Sequence, residues 1–323
     1  MKRLLMWALV VVLLAGLAGV AAAEPLKIRY SIWVGYGPLF IAKEKGYFAE
    51  EKVDVELVNI EDPKEGFFAL AAGRLHGVVS TVDTMVLYLK TGKEYQYVLA
   101  LDDSAGGDGI VARKEIKSLK DLKGKKVAVN EGSVSQFFLN VLLKEAGMTQ
   151  KDLDVVNMKQ GDAGAAFVAE KVDAAVTWEP WLTKSKNAPH GHILVDSSKT
   201  PGLITDVLIF PREVIAKRGK EIQGIVNAWN KAVAYYEKSQ PESLEIMAKG
   251  LGDWLKDPKV FAETLGGVKF YNREGNVKFF GTAQKPGDIY KVVRNALDVW
   301  GGFGRLQPKG VTAKDLVNHS FVK

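Results

Sequence analysis

Hydrophobic and polar positions change period repeatedly along this chain. Residues 26–33, LKIRYSIW, alternate with period two, as a half-buried strand does. Pro38 then suits the first turn of a helix that runs to Lys45 and stops at Gly46. A strand follows over 53–60 (VDVELVNI), a helix over 65–73 (EGFFALAAG) and a short buried strand over 75–81 (LHGVVST). After YQYVLALDD and the linker-like SAGGDG, a second unit opens at Ile116. It reads as strand KKVAVNEG, helix SVSQFFLNVLLKEAG, strand LDVVNMK, helix GDAGAAFVAEK and strand VDAAVTW. Strands alternating with helices in this way predict an α/β fold with parallel pairing.

The two units echo each other. FFALAAGRLHGVVST (67–81) and AAFVAEKVDAAVTW (165–178) share an alanine-rich helix, a stop and a short buried strand, and VDVELVNI parallels LDVVNMK. Two similar lobes bring the ends of their strands face to face across a cleft, and open α/β sheets bind ligands outside those carboxyl ends. After PGLITDVLIF (201–210) the period becomes helical, over 213–238, 240–256, 258–266 and 286–299. The segment ITDVLIF is expected to return the chain to the first sheet. That leaves a discontinuous first lobe, 24–109 and 208–323, around a continuous second lobe, 110–207, with hinges near 108–113 and 203–208.

Composition narrows the setting. Residues 1–23 run from Lys2 and Arg3 through an apolar stretch to Ala21-Ala22-Ala23, the pattern of a cleavable secretory signal peptide rather than a membrane anchor. The chain has no cysteine, which excludes a diacylated lipoprotein, disulfides, a thiol nucleophile and a zinc–thiolate site. Its formal charge of +6 falls by two when Lys2 and Arg3 leave, and the remaining lysines scatter over helix faces instead of forming a nucleic-acid footprint.

Five stretches in order, WVGYGPLFIAKEKGYF, AAGRLHGVVST, DLKGKKVAV, GSVSQFFL and VDAAVTWEPWL, resemble the nitrate/sulfonate/taurine class of ABC-transporter periplasmic solute-binding proteins. That superfamily also holds the thiamine-pyrimidine-binding proteins. The resemblance spans roughly residues 26 to 215 and thins in the helical tail. It implies a type II periplasmic binding fold, in which two lobes with mixed β-sheets flanked by helices close over a small-molecule solute. It also implies a membrane permease as partner; with the cleavable signal peptide, a periplasmic location is expected if the cell is Gram-negative, and the protein is expected to be a monomer without cofactor or metal.

Candidate ligand-binding residues fall at strand ends facing such a cleft. Trp33 and Tyr36 follow the first strand, and Ser80, Thr81 and Asp83 end the third. Asp108 lies in the first crossover and Asp206 in the return crossover. Ser133, Ser135 and Gln136 open the helix after KKVAVNE, and Trp178, Glu179 and Trp181 end the second unit's last strand. Each taken alone is equally a core aromatic or a solvated acid. Together, the charged members are all acidic and stand beside several aromatics, an arrangement that suits a nitrogen-rich cation or amine, such as a guanidine-like or aminopyrimidine-like compound. The alternative is a sulfonate, taurine or nitrate-type anion held by hydroxyls and N–H groups at GSVS (132–135), the helix start that contacts the anion in the sulfonate binders this chain resembles.

An enzyme is the rival class. Glu179 and Asp108 form an acid/base pair if they approach each other. No Gly-x-Ser-x-Gly elbow, P-loop or His-Glu-x-x-His helix occurs, and the cysteine-rich motif of the superfamily's pyrimidine synthases is missing. HGH at 190–192 reads as a polar loop rather than a metal pair. The sequence therefore points to a binding protein, not an enzyme.

Overall fold

The computed structural model describes residues 24–92, 94–252, 255–306 and 309–323; the signal peptide expected at 1–23 lies outside the described residues. In chain order the strands are β1 (Leu26–Tyr30), β2 (Val55–Asn59), β3 (Gly77–Thr81), β4 (Tyr95–Ser104), β5 (Asp108–Arg113) and β6 (Lys126–Val129). They continue with β7 (Asp154–Asn157), β8 (Ala174–Trp178), β9 (Gly191–Asp196), β10 (Thr205–Pro211) and β11 (Val268–Phe270).

The strands build two mixed sheets on one plan. The first has the order β11-β4-β10-β3-β1-β2 and the second β7-β6-β8-β5-β9. In each, three parallel strands are followed by an antiparallel one that arrives from the other lobe: β10 against β3 and β5 against β8. The echo heard in the sequence is this shared plan. The chain passes between sheets through 105–107 and 197–204, so Asp108 and Gly109 lie with the second sheet and Thr205–Val207 with the first.

Helices cover both sheets. Helix α1 (Gly37–Glu44) carries Pro38 in its first turn, and α2 (Pro63–Ala71) is capped by Asp62, whose carboxylate accepts from the Lys64 amide at 2.8 Å. The others close to the cleft are α3 (Val82–Leu87), α4 (Val134–Glu145), α5 (Gln160–Val168) and α6 (Trp181–Asn187). The tail adds α7 (Arg212–Lys238), α8 (Gln240–Leu251) and, at the C-terminal side, a helix over Ile289–Gly302. From that last helix Trp300, fully buried, donates its indole N–H to the Asp83 carbonyl at 3.0 Å and packs 5.8 Å from Phe137 of α4. The two lobes therefore touch through aromatic side chains. Among the described residues no helix is long and apolar enough to cross a membrane.

Several elements depart from the sequence reading. Asp108–Arg113, read as crossover, is a buried central strand, because its DGIVAR run pairs on both sides, with β8 and with β9. HGH at 190–192 is no polar loop: Gly191 and His192 begin β9, and the rings of His190 and His192 bond the carbonyls of Phe167 and Ile116 at 3.0 and 2.8 Å. The tail holds an edge strand, β11, and a helix over Arg273–Phe280 where only helices at 258–266 and 286–299 were expected. Three residues on a sheet edge are too few to display a period.

Candidate functional site

A cavity of about 40 Å³ lies between the two sheets. Strand register explains which side chains reach it. Antiparallel pairing sets Asp108 opposite Trp178 in the second sheet, and Asp206 opposite Thr81 and Asp102 in the first. Residues paired in this way share one face of the sheet. Trp33 and Tyr36 come from the turn between β1 and α1, where the chain leaves the strand extended and tightens into a single 3-10 turn at Val34–Tyr36.

The aromatic wall is held rigidly. Trp33 donates its indole N–H to Asp102 Oδ1 at 3.1 Å and meets Trp178 edge to face across the lobes, with centroids 6.2 Å apart at 63°. Two glycines make room for this. A Cβ at Gly35 would stand 2.1 Å from Asp102 Oδ2, and one at Gly107 would stand 2.5 Å from Trp33 Cη2. Tyr36 donates its phenol to Asp206 in a short hydrogen bond.

Of the residues singled out in the sequence, Trp33, Tyr36, Ser80, Thr81, Asp108, Ser133, Trp178 and Asp206 line the cavity. Five do not. Asp83 is buried behind it on α3, with Oδ2 3.3 Å from the Thr84 hydroxyl and Oδ1 unpartnered. Ser135 is buried on α4 with its hydroxyl unpartnered, and Gln136 ties Gly132 N to Gln150, at 2.8 and 2.9 Å. Glu179 turns away to accept from the amide and hydroxyl of Thr183, at 3.0 and 2.8 Å, in the first turn of α6. Trp181 packs on Gly164, with the Lys184 ammonium 4.3 Å from its ring. Glu179 and Asp108 are thus engaged separately, and the acid/base pairing considered for them is not formed.

Arg29, Ser31, Thr84 and Gln160 also line the cavity and were not singled out. Arg29 gave no signal in the sequence, where its position alternates with the apolar ones of a half-buried strand; in the structure that strand is buried on both faces, where a cation requires partners. Its guanidinium donates to the carbonyls of Ile60, Val79 and Glu61 at 2.7, 2.9 and 2.8 Å, bracing the strand ends. Ser133 is similarly engaged: its hydroxyl donates to the Asn130 carbonyl and accepts from Ser135 N and Gln160 Nε2.

The carboxyls carry the electrostatics. Asp108 and Asp206 are only 5% and 3% exposed. Burial pushes Asp108 up to about 7 against the lowering effect of the Ser104 hydroxyl. Burial likewise lifts Asp206 to about 8 in spite of the Tyr36 hydrogen bond, with repulsion from Asp108 and Asp83 adding to it. Asp102, behind Trp33, is also raised well above the usual carboxylate range, by burial and then by Asp206 beside it. Burial also raises Asp83 to about 7. Carboxyls raised in this way carry protons near neutral pH, and those of Asp108 and Asp206 are lost to solvent when a cation binds.

With this geometry in hand, comparison with known proteins is decisive on kinship: the NMT1/THI5-like family model matches residues 33–243. The chain belongs to the NMT1/THI5-like family. Along its whole length it is 26% identical to a Bacillus subtilis protein named for binding aliphatic sulfonates, covering 96% of that protein. Two solved structures share the fold of this family member. The alkanesulfonate-binding protein SsuA of Xanthomonas axonopodis pv. citri, bound to MOPS, superposes with a TM-score of 0.73 at 19% identity, covering 93% of this chain and all (100%) of that one. The periplasmic nitrate-binding protein NrtA of Synechocystis PCC 6803 gives 0.70 at 16%, covering 92% and 87%. The two mixed sheets are therefore those of the periplasmic binding protein fold, and the chain stands with binding proteins rather than enzymes.

Proposed function

We propose that this family member is the periplasmic solute receptor of an ABC importer and that its solute is a small nitrogen-bearing cation or amine. The solute sits in the central cavity and is handed to a membrane permease. The observation that carries the ligand class is the lining. Asp108 and Asp206, both buried, enter the cavity from opposite lobes, and the guanidinium of Arg29, which also lines it, already donates to three carbonyls. Carboxylates facing N–H donors, with indoles as walls, suit a cation. The hinge segments are 105–107 and 197–204, and closure follows because both lobes contribute ligand contacts.

Kinship supports the anion alternative more strongly than this reading. The relatives named above are named for aliphatic sulfonates and nitrate. An anion would have to accept hydrogen bonds from protonated Asp108 and Asp206 and from the one N–H left on each terminal nitrogen of Arg29. Thermal stabilisation of residues 24–323 separates the two. One panel holds guanidine, amines, amidines and aminopyrimidines, the other taurine, alkanesulfonates, nitrate and bicarbonate, at matched ionic strength. Hits confined to the first panel are expected; hits confined to the second overturn the ligand class.

A further inference from the structure

We infer that the solute is a trigonal, one-carbon nitrogen cation of guanidinium or amidinium size, an inference that rests on the cation reading and narrows it. The first observation is size. A cavity of about 40 Å³ has room for about four non-hydrogen atoms, since one water needs roughly 10–15 Å³ on the same measure. A tailed guanidine, an aminopyrimidine or a molecule such as MOPS is larger by a factor of about two or more on that scale.

The second observation is the shape of the wall. An aromatic ligand is commonly sandwiched between parallel rings. Here Trp33 and Trp178 stand edge to face at 63°, so they enclose no parallel slot for a second ring. Asp102 holds the Trp33 N–H, and a Cβ at Gly107 would stand 2.5 Å from its Cη2, so the ring is fixed in this orientation from both ends. The wall therefore accepts a flat group against one ring face only.

The third observation is the direction of the acceptors. Asp108 comes from β5 of the second sheet and Asp206 from β10 of the first. Hydroxyls of Ser80, Thr81 and Thr84 stand on the first lobe's side. Asp206 already accepts from Tyr36 through Oδ1, which leaves Oδ2 for a ligand. A solute that bridges them needs N–H donors diverging in one plane, which a guanidinium or amidinium supplies.

Titration calorimetry at pH 8 on residues 24–323 tests this. The probes are guanidinium and formamidinium at millimolar concentration or below, with methylammonium, agmatine, 4-aminopyrimidine, nitrate and methanesulfonate. Guanidinium or formamidinium is expected to bind at least a hundredfold more tightly than agmatine, 4-aminopyrimidine and methylammonium. Replacing the lining residue Ile204 by Ala should raise the affinity for methylguanidine relative to guanidinium about tenfold. Equal or tighter binding of agmatine or 4-aminopyrimidine overturns the size limit while the cation reading stands. Equal binding of methylammonium overturns the trigonal geometry. Binding of nitrate or methanesulfonate alone overturns the cation reading itself, and binding of no probe overturns the inference.

Discussion

At the scale of single residues, the buried carboxyls make the ligand's charge measurable through pH. A cation binds Asp108 and Asp206 as carboxylates, so it expels protons, and its affinity should rise with pH through the range 7–8, by about tenfold per pH unit for each proton released. An anion needs those protons, and its affinity should fall over the same range. The unliganded protein follows from the same shifts. Acids whose folded values are raised favour the fold at low pH, and that contribution is lost as pH climbs from about 4 through about 7–8. Asp108→Asn should therefore hold Tm more nearly constant between pH 5 and pH 8 while weakening a cation by about a hundredfold, since a hydrogen bond to a charged group contributes about 1.5–3 kcal/mol. A cation affinity indifferent to both the substitution and pH would refute the role of Asp108. Glu179→Gln, by contrast, should change ligand affinity less than about twofold, because its carboxylate holds Thr183. Nothing in the sequence separated Glu179 from Asp108: both are acids at strand ends, and only strand register turns one inward.

At the scale of elements, the start of α4 is where the anion and cation readings part most sharply. Ser133 caps the helix and is bonded to Asn130 and Gln160. Removing a cap of this kind costs about 0.5–2 kcal/mol. Ser133→Ala should lower Tm by a few degrees, roughly 2–4 °C per kcal/mol for a domain of this size, with cation affinity reduced less than about fivefold. Loss of all ligand binding without loss of Tm would instead place an anion at the helix start. The elements that build the parallel half of each sheet were legible, because βαβ units show both periods in succession. The antiparallel additions β5, β9 and β11 were not: β5 hides behind a glycine-rich crossover, β9 opens with His-Gly-His neighbours that read as polar, and β11 is three residues long. Candidate positions at the strand ends and in the turn after β1 were found on parallel and antiparallel strands alike, Asp108 and Asp206 included, whereas Arg29 inside β1 and Thr84 inside α3 were passed over.

For the whole molecule, the question is what holds the lobes shut, since affinity depends on the population that can bind. Tyr88, at the end of α3 in the first lobe, donates its phenol to the Gly132 carbonyl of the second lobe at 2.7 Å. Phe67 stacks on the Tyr88 ring at 4.9 Å and 17°, so the hydroxyl is aimed before the lobes meet. This bond crosses the cleft, so the proposed opening of the lobes would break it. Its loss therefore raises the free energy of the closed state and leaves the open state unchanged. Tyr88→Phe keeps the ring and removes the donor, so ligand affinity should fall by about three- to tenfold, the equivalent of about 0.5–1.5 kcal/mol for a neutral hydrogen bond. The change should appear chiefly in the dissociation rate, because departure requires opening. Small-angle scattering should show a larger radius of gyration for the unliganded variant than for the unliganded parent, converging when ligand saturates both. Unchanged dissociation together with unchanged scattering would show that the Tyr88 bond does not bias closure, and would leave the Trp33–Trp178 and Phe137–Trp300 contacts as the interactions that hold the cleft shut.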